Sequence, residues 1–538
     1  MFLRKAVASL AICALASTVN SASNSTAFDS NTPCDVSAIE LLAPQTTILN
    51  ITAKRIDNYP VPQGPYYDVF VPLSSAPSNV SFCNVTVTYT HPGWDDTIQV
   101  FVGLPLQGWN RKFLALGGSG FSTNAPLDIL PVMASFGYAS AATDGGHLWQ
   151  DISWALKGNS SLVNYPLLVD MASESLKDMT VLGRQLAELH YGEPAERAYW
   201  VGCSQGGRQG MMAAQRYAHL YDGILANAPA IRWNDLLVGM QWQSVTMYET
   251  GTAPPPCVLD AFTNAAIAAC DGLDGLEDGV ISLPGSCSFD PYSLVGESVN
   301  CGGGGGADKI KVTGKDAFVI QQVLSGPPTT PGGNSSLFVG YSVGTNLSTA
   351  VSTSCADNNR NCTANGVIFA NEWIPKFLAK NYAFNPLTIT YDQFYRFFAQ
   401  AKREYDWVIG TADADLRHLR LSDTKLLSFH GFADELIPPA NTVRYYREAL
   451  ALDANLTDYY RLFMAPGVMH CGGGQGPNPT AMLHVLERWV ENGTAPTRLD
   501  AVATAANGTR GERQVCMYPE SSRYTGGDPT LASSFTCS

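Results

Sequence analysis

One stretch of the sequence places a strand, a tight turn and a helix in succession, and it decides the fold. Residues 198–217 read AYWVGCSQGGRQGMMAAQRY. The apolar start predicts a buried strand, and GGRQGMMAAQRY predicts a helix. Gly202, Gly206 and Gly207 allow the backbone to approach closely in the turn between them. Such a turn lifts the side chain of Ser204 clear of a sheet and points the N-terminus of the helix towards it.

The same alternation of strands and helices continues on both sides of this stretch. Before it, VTVTYTH, TIQVFVGLP, FLALGG and YASAATDGG are strand-like, and residues 162–191 show the apolar spacing of a helix. After it come the strand-like GILANAP and then, from Lys425, KLLSFHG, NTVRYYREAL, YYRLFMAPG and TAMLHVLERWVENG. Buried strands that alternate with helices predict an α/β fold on a mostly parallel sheet.

Residues 233–405 interrupt this alternation. They contain a glycine run at Gly302–Gly306, proline-rich turns, six of the cysteines and an aromatic cluster at 391–398. A segment of this composition is typical of an insertion and not of another strand–helix unit. We predict a lid domain here, inserted between the two halves of an α/β core, residues 23–232 and 406–538.

The composition excludes some classes of protein. Of 538 residues, 45% are hydrophobic and 15% are charged, which is typical of a globular chain with a large core. The formal net charge is −14, and no run of lysine and arginine is present to follow a phosphate backbone. We therefore expect no nucleic-acid partner. No stretch after the N-terminus is apolar for long enough to predict a membrane helix.

The N-terminus has the features of a signal peptide. Arg4 and Lys5 precede a short apolar run, Ala6–Ala16, that ends in the small-x-small pattern Ala14-Leu15-Ala16. Cleavage near Ala22 fits equally well, and we assign residues 1–22 to the signal. The prediction is a secreted protein.

Cysteines and sequons support this compartment. Thirteen cysteines are present, and Cys13 would leave with the signal, so an even number of twelve remains for up to six disulfides. Eleven N-x-[ST] sequons predict a glycoprotein. They are Asn24, Asn50, Asn79, Asn84, Asn159, Asn334, Asn346, Asn361, Asn455, Asn492 and Asn507.

The pattern G-x-S-x-G occurs twice, and only the context separates the two matches. In a chain of this size and glycine content about 0.3 matches arise by chance. Ser204 lies between a predicted strand and a predicted helix, as a nucleophile requires. Ser342, within Gly340–Gly344, follows a Pro/Gly-rich stretch and precedes a sequon with no predicted helix. Ser204 is therefore the candidate nucleophile.

A general base and an acid are predicted at the ends of two later strands. In α/β-hydrolases the order along the chain is nucleophile, acid, histidine. Asp434 lies in the loop after LLSFHG, and His470 lies in the loop after LFMAPG. His470 would take the proton of Ser204, and Asp434 would orient the imidazole. The alternatives are Glu435 as the acid and His430 as the base, although a structural hydrogen bond is the favoured role for His430.

The oxyanion hole should combine two backbone N–H groups. One belongs to Gln205, the residue after the nucleophile, and the other to a glycine-rich loop after an earlier strand. The sequence LGGSGF at 116–121 fits, with Gly118 as the candidate donor. An ordinary glycine turn explains this loop equally well.

Several motifs together resemble the fungal tannase and feruloyl esterase family. They are FCNVTVTYTHPG, TDGGH, GCSQGGRQG, PPPC, HGFADELIPP, MHCGGG and RWVENG, and they span nearly the whole mature chain. The resemblance implies an α/β-hydrolase fold with an inserted lid and a disulfide between Cys203 and Cys471, the neighbours of Ser204 and His470. It also implies hydrolysis of phenolic-acid esters, free or linked to a polysaccharide, without an organic cofactor.

The resemblance further implies a structural Ca²⁺ site in the lid. The matching loop is CDGLDGLEDGV at 270–280. An acidic glycine turn without a metal is as good an interpretation of the residues alone, because the spacing is not that of an EF-hand. The implied ligands are the carboxylates of Asp271, Asp274 and Asp278 and the carbonyls of Leu276 and Val280.

By the family pattern a Cys270–Cys287 disulfide would close this loop. Cys34–Cys83 and Cys516–Cys537 are further plausible pairs. The partners of four other cysteines stay open, namely Cys257, Cys301, Cys355 and Cys362.

We expect two-step acyl transfer through an acyl-enzyme on Ser204, with a feruloyl-type ester as substrate. The alternatives are a tannase that acts on galloyl esters, a different exported serine hydrolase, and an inactive carbohydrate-binding glycoprotein. Acyl preference depends on lid side chains that no motif fixes. Trp233 and Trp242 are candidate pocket walls, although core packing is the favoured role for each.

Overall fold

The structure, a computed structural model, describes residues 34–35, 40–148, 150–158, 160–302, 309–356 and 359–538. The predicted signal peptide, residues 1–22, lies outside the described residues, as do the sequons Asn24 and Asn159. Residues Cys34–Ser538 form one compact unit. Within the described residues no helix has the length and apolar character needed to cross a bilayer.

A central sheet of nine strands organises this unit. In spatial order the strands run β1-β2-β3-β5-β4-β6-β7-β8-β9. The first three pairings, out to β3–β5, are antiparallel, and every pairing from β5–β4 to β8–β9 is parallel. The strands are β1 Thr47–Pro60, β2 Asn79–Thr90, β3 Ile98–Pro105, β4 Lys112–Leu116, β5 Ala139–Thr143, β6 Arg197–Cys203, β7 Gly223–Asn227, β8 Lys425–Gly431 and β9 Tyr460–Ala465.

Helices cover both faces of the sheet, because both faces of its parallel strands are apolar. In β6, Trp200 packs into one buried cluster, whereas Tyr199 and Val201 pack into the cluster on the opposite face. The α-helices of seven or more residues are α1 Ile129–Ser135, α2 Tyr165–Ala172, α3 Glu174–Tyr191, α4 Gln205–Arg216, α5 Trp233–Gly239, α6 Trp242–Thr250, α7 Pro256–Cys270, α8 Gly314–Ser325, α9 Tyr391–Ile409, α10 Pro439–Leu452 and α11 Met482–Asn492.

The segment between β7 and β8 contains the predicted lid. Among its described residues none joins the central sheet; it forms helices α5–α9 and two small hairpins. A third apolar cluster joins it to the core, with Trp233, Trp373 and Tyr405 packed near Phe121. The hairpins are Ser298–Asn300 with Lys309–Lys311 and Thr353–Ala356 with Arg360–Ala364.

The C-terminal residues add small sheets beside the core. After β9 the chain returns through α11 and ends in short antiparallel strands. These strands are Asn478–Pro479, Arg498–Thr504 and Arg510–Cys516 in one sheet, and Ser522–Tyr524 and Phe535–Cys537 in another. The prediction of a mixed α/β fold on a large sheet is confirmed.

Candidate active site

Ser204 stands at the turn between β6 and α4. Its backbone has φ 63° and ψ −121°, a region that a residue with a side chain rarely adopts, so the turn holds it under strain. A Cβ at Gly202 would lie 2.4 Å from the carbonyl carbon of Gly206, and one at Gly207 would lie 2.2 Å from the Asn227 oxygen. Only glycine fits at these two positions, which explains why the turn is glycine-rich.

The structure brings the three predicted triad side chains together. The Nε2 atom of His470 lies 2.9 Å from the Oγ atom of Ser204, and its Nδ1 atom lies 2.8 Å from the Oδ2 atom of Asp434. Asp434 follows β8, and His470 follows β9. Because these strands are parallel to β6, their carboxyl ends meet at the edge of the sheet where Ser204 stands.

Asp434 is fully buried and accepts several hydrogen bonds. The backbone N–H groups of Leu436 and Ile437 donate to Oδ1, at 2.9 and 2.8 Å. Burial alone would raise the pKa of Asp434, but the charge of His470 and hydrogen bonds from His430 and His470 hold it well below its ordinary value. This carboxylate therefore stays ionised and can stabilise a positive imidazolium.

The pKa of His470 moves in the opposite direction. Burial lowers it, but the charge and hydrogen bond of Asp434 outweigh burial, so the pKa lies above the ordinary histidine value. The pair is thus arranged to accept a proton at Nε2, the ring atom that faces Ser204.

The two alternatives from the sequence occupy supporting positions. The Nε2 atom of His430 lies 3.0 Å from Asp434, and its Nδ1 atom lies 2.8 Å from the Thr442 hydroxyl, so this ring contacts the acid. Glu435 accepts a hydrogen bond at 3.2 Å from the backbone N–H of His470. It contacts the main chain of the base, whereas Asp434 contacts the ring.

Ser342 has a different setting from Ser204. It lies outside the sheet, and its carbonyl accepts the N–H of Thr345 in a turn. The expectation that no helix follows it is wrong, because a short helix spans Leu347–Val351. That helix starts five residues later and not directly after the serine, so the strand–turn–helix arrangement found at Ser204 is missing here.

A disulfide joins the neighbours of the nucleophile and the base. Cys203 and Cys471 are bonded across 268 residues of sequence, with their Cα atoms 5.9 Å apart. The bond connects the end of β6 directly to the loop that holds His470. It restricts how far the Ser204 hydroxyl and the imidazole can separate.

All twelve cysteines of the described chain are paired in six disulfides. Cys270–Cys287 is paired as the family pattern implies, and Cys34–Cys83 and Cys516–Cys537, the further plausible pairs, are also bonded. The four cysteines left open form Cys257–Cys301 and Cys355–Cys362.

The glycine-rich loop lies beside Ser204, but the predicted donor within it does not face the site. The N–H of Gly118 donates at 2.7 Å to the Oε1 atom of Gln209, a buried side chain on α4. We therefore correct the expectation for Gly118, since its N–H is already engaged by a side chain of α4. Gly120 lines the pocket with Ser204 and Gln205, and it is the better-placed glycine of this loop.

A narrow apolar pocket opens beside the nucleophile, with about 310 Å³ of empty volume including its mouth. Trp233 lines it, whereas Trp242 does not, because Trp242 packs against Phe394 and donates its indole N–H to the Gln322 carbonyl. The pocket is lined by Gly120, Ser204, Gln205, Ala230, Trp233, Leu236, Leu237, Met240, Phe369, Leu436, Ile437 and His470.

The acidic loop after α7 brings its carboxylates close together. Asp271 accepts the N–H groups of Asp278, Gly279 and Val280 at 2.8–3.2 Å. Burial, then the charges of Asp271 and Asp274, raise the pKa of Asp278 to about 6. The Oδ1 atom of Asp278 is buried without a hydrogen-bond partner. A hard cation would satisfy this oxygen and offset the repulsion, so these residues fit a calcium ion.

Two residues of α4 that hold the site were not predicted from the sequence. Gln209 joins the glycine-rich loop to the nucleophile helix, since its Nε2 atom donates to the Thr123 carbonyl at 3.1 Å. Arg208 is fully buried, and its Nε atom donates to the Oε1 atom of Gln205 at 2.7 Å. The signal in the sequence was the polar pair Arg208-Gln209 among the glycines and methionines of a helix predicted to lie against the sheet.

A second buried polar cluster was also missed. His91 bridges two carboxylates: Nδ1 lies 2.6 Å from Asp96, and Nε2 lies 2.9 Å from Asp178. Burial lowers the pKa of His91, but its hydrogen bonds to Asp178 and Asp96 outweigh burial and raise it to about 9. Both ring nitrogens are engaged, so the cluster acts as an ion-pair network that ties the β2–β3 turn to α3.

Comparisons with known proteins agree with this architecture. Residues 83–538 match the family described as tannase and feruloyl esterase. A probable feruloyl esterase of Arthroderma benhamiae is 40% identical over 92% of this chain and 91% of its own length. A tannase of Aspergillus oryzae is 30% identical over 98% and 95%. The structure of a tannin acyl hydrolase from Aspergillus niger superposes with a TM-score of 0.80, at 26% identity and 92% coverage of both chains.

Fold, site and relatives together define a carboxylic ester hydrolase. Within that class, the chain belongs to the tannase and feruloyl esterase family.

Proposed function

We propose that this enzyme cleaves phenolic-acid esters of the feruloyl type through the triad Ser204, His470 and Asp434. The observation that carries the proposal is the continuous hydrogen-bonded chain from Asp434 through His470 to the Ser204 hydroxyl at the wall of an apolar pocket. An ester seated in this pocket places its carbonyl carbon next to the hydroxyl.

The reaction proceeds in two steps. His470 accepts the proton of Ser204 as the hydroxyl attacks the ester carbonyl, and it then donates that proton to the departing alcohol. Water next attacks the acyl-enzyme, with His470 again as the base, and the free acid leaves. Asp434 stays ionised throughout and stabilises the imidazolium.

The negative oxygen of each tetrahedral intermediate needs two hydrogen-bond donors. We assign these to the backbone N–H groups of Gln205, at the N-terminus of α4, and Gly120, which lines the same pocket. The macrodipole of α4 adds to this stabilisation.

The character of the pocket favours a feruloyl group over a galloyl group. Trp233, Phe369 and five aliphatic side chains from Leu236 to Ile437 form its walls, and the described lining residues include no carboxylate. A galloyl ring carries three hydroxyl groups whose hydrogens would lack acceptors in such a pocket, which costs binding energy. A methoxy group has no hydrogen to satisfy and packs well on apolar walls.

We also propose that the protein is exported and glycosylated. Six disulfides that pair every described cysteine are typical of an oxidising compartment. The sequons Asn50, Asn79 and Asn455 support glycosylation, since they are exposed.

The proposed calcium ion would have a structural role. Asp271, Asp274 and Asp278 would hold it together with the carbonyls of Leu276 and Val280. When bound, the ion would neutralise the repulsion among these carboxylates and fix the loop that follows α7. The proposed chemistry at Ser204 does not pass through it.

Hydrolysis of methyl ferulate and methyl gallate tests the proposal. The wild type should release ferulate with a higher kcat/KM than gallate, and Ser204→Ala should lower kcat by about 10⁶-fold because the nucleophile is lost. Ser342→Ala is the matched control and should keep wild-type turnover. Equal turnover by Ser204→Ala would refute the nucleophile, and a preference for gallate would identify a tannase.

A further inference from the structure

Two buried hydrogen-bond donors at the active-site pocket have no partner in the protein. They are the side-chain Nε2 of Gln205 and the indole Nε1 of Trp233. Both residues line the pocket, and their exposed fractions are only 1% and 2%. A donor that is buried without an acceptor costs stability, so two such groups at one pocket indicate that a ligand supplies the acceptor.

The residues that carry the two donors, Gln205 and Trp233, both lie next to the guanidinium of Arg208. The guanidinium of Arg208 fixes the Oε1 atom of Gln205 and lies 5.8 Å from the centre of the Trp233 ring. With its oxygen held by Arg208, the Gln205 amide must turn its NH₂ group away from the guanidinium. Arg208 therefore lies next to both residues that carry the unpartnered donors.

Arg208 places a buried positive charge directly behind Gln205 and Trp233. Its remaining hydrogen bonds go to the carbonyls of Met171 and Ala172, at the end of α2, and to the hydroxyl of Thr411. In the part of the chain that the structure describes, no carboxylate forms an ion pair with it. A buried cation without a counter-ion favours an electron-rich ligand atom nearby.

The other residues of the pocket provide few hydrogen-bond partners for an electron-rich ligand atom. Leu236, Leu237, Met240, Leu436 and Ile437 are apolar, and the backbone N–H groups beside Ser204 serve the ester carbonyl in the proposed function. An acceptor on the acyl group therefore has these two side-chain donors as its partners.

We propose that the Gln205 amide and the Trp233 indole N–H are specificity-determining groups that bind an oxygen substituent on the aromatic ring of the acyl group. This inference rests on the proposed function and adds the chemical feature that the pocket recognises. Ring oxygens that only accept hydrogen bonds, as in methoxy groups, suit these two groups best, because both are donors.

Three methyl esters separate this recognition from general activity. Methyl cinnamate has no ring oxygen, methyl 3,4-dimethoxycinnamate has two pure acceptors, and methyl ferulate has one methoxy and one hydroxyl group. The wild type should show a kcat/KM for the dimethoxy ester on the order of tenfold above that for cinnamate. A ratio of one or less would overturn the inference without any variant.

Two substitutions keep most of the side-chain volume: Trp233→Phe removes one donor, and Gln205→Leu removes the other together with the Oε1 acceptor of Arg208. Trp233→Phe and Gln205→Leu should each lower the dimethoxycinnamate-to-cinnamate ratio by about three- to tenfold, because the dimethoxy ester loses a hydrogen bond that cinnamate never made. Trp407→Phe and Gln321→Leu are matched controls at exposed positions and should leave the ratio unchanged.

The outcomes also separate this inference from the proposed function. If the wild type hydrolyses none of the three esters, the proposed function fails and the inference fails with it. If the wild type hydrolyses them but neither substitution changes the ratio, only the inference fails. Should one variant not fold, the wild-type ratio and the other variant still decide the question.

Discussion

At the scale of single residues, Asp434 raises the pKa of His470, the proposed base, and fixes the orientation of its ring. Its Oδ2 atom contacts the rings of His470 and His430, and its Oδ1 atom accepts two backbone N–H groups. Four hydrogen-bond partners, two histidine rings and two backbone N–H groups, therefore hold the Asp434 carboxylate in place. Glu435 lacks this arrangement, although it is the adjacent residue, because its carboxylate contacts only the main chain of His470 among the triad groups.

Replacement of Asp434 by Asn should lower kcat by about 10⁴-fold and move the pH profile. In the wild type the pKa of His470 is raised, so kcat/KM falls as the pH drops through that raised value and the base becomes protonated. Without the carboxylate charge, burial dominates and lowers this pKa, so the acidic limb should shift to lower pH. Rates for methyl ferulate from pH 4 to pH 9 measure both effects.

Glu435→Gln is the control for this experiment. It removes the neighbouring charge but not the partner of the ring, so most of the activity should remain. A loss as large as that of Asp434→Asn would contradict the assignment of the acid.

At the scale of elements, the site depends on two loops that follow β8 and β9 and on the turn after β6. The Cys203–Cys471 bond connects the turn to the histidine loop without passing through the sheet. Gln209 connects α4 to the glycine-rich loop in the same way, through hydrogen bonds to Gly118 and Thr123. The disulfide fixes the distance between the turn after β6 and the histidine loop. The Gln209 hydrogen bonds fix the distance between α4 and the glycine-rich loop. Strand pairing alone does not fix either distance.

Removal of the Cys203–Cys471 bond should reduce both stability and turnover. The double variant Cys203→Ala/Cys471→Ala should lose about 2–5 kcal/mol of unfolding free energy, since a bond across 268 residues restricts the unfolded chain strongly. It should also lower kcat, because the hydroxyl and the imidazole are no longer tethered. Urea unfolding and methyl ferulate kinetics measure the two effects.

The matched control is Cys355→Ala/Cys362→Ala, which opens a hairpin with a separation of only 7 residues. It should lose less stability and keep the wild-type kcat. If both double variants lowered kcat equally, the tether would have no specific role in catalysis.

At the scale of the whole molecule, the acidic loop joins the inserted segment to the C-terminal strands. Arg513, on the strand Arg510–Cys516, lies 3.7 Å from the Oδ2 atom of Asp278. A calcium ion in this loop would therefore stabilise contacts between parts of the chain that are more than 200 residues apart.

If the acidic loop binds calcium as proposed, removal of the ion should destabilise the whole protein. EDTA should lower the urea midpoint, and Ca²⁺ at 100 times its Kd should restore about 2.7 kcal/mol of unfolding free energy. Asp278→Ala removes one proposed ligand and should respond much less to either treatment. An identical response to Mg²⁺, or none to Ca²⁺ in the wild type, would contradict the site.

The sequence by itself determined the parts of this protein that depend on local patterns. The alternation of buried strands with helices predicted the α/β fold, and the glycines around Ser204 predicted its turn, because close backbone approach excludes other residues there. The chain order of Ser204, Asp434 and His470 predicted which side chains meet, since parallel strands place their carboxyl ends on one edge of the sheet.

Only the tertiary structure decided the features that depend on contacts between distant residues. The Gly118 N–H is engaged by Gln209, 91 positions away, and no pattern within LGGSGF reveals that partner. The sequence allows three pairings of Cys257, Cys301, Cys355 and Cys362, and only the folded chain shows which one forms. The unpartnered donors of Gln205 and Trp233 became visible only after burial excluded water, because satisfaction of a hydrogen bond is a property of three-dimensional surroundings and not of sequence spacing.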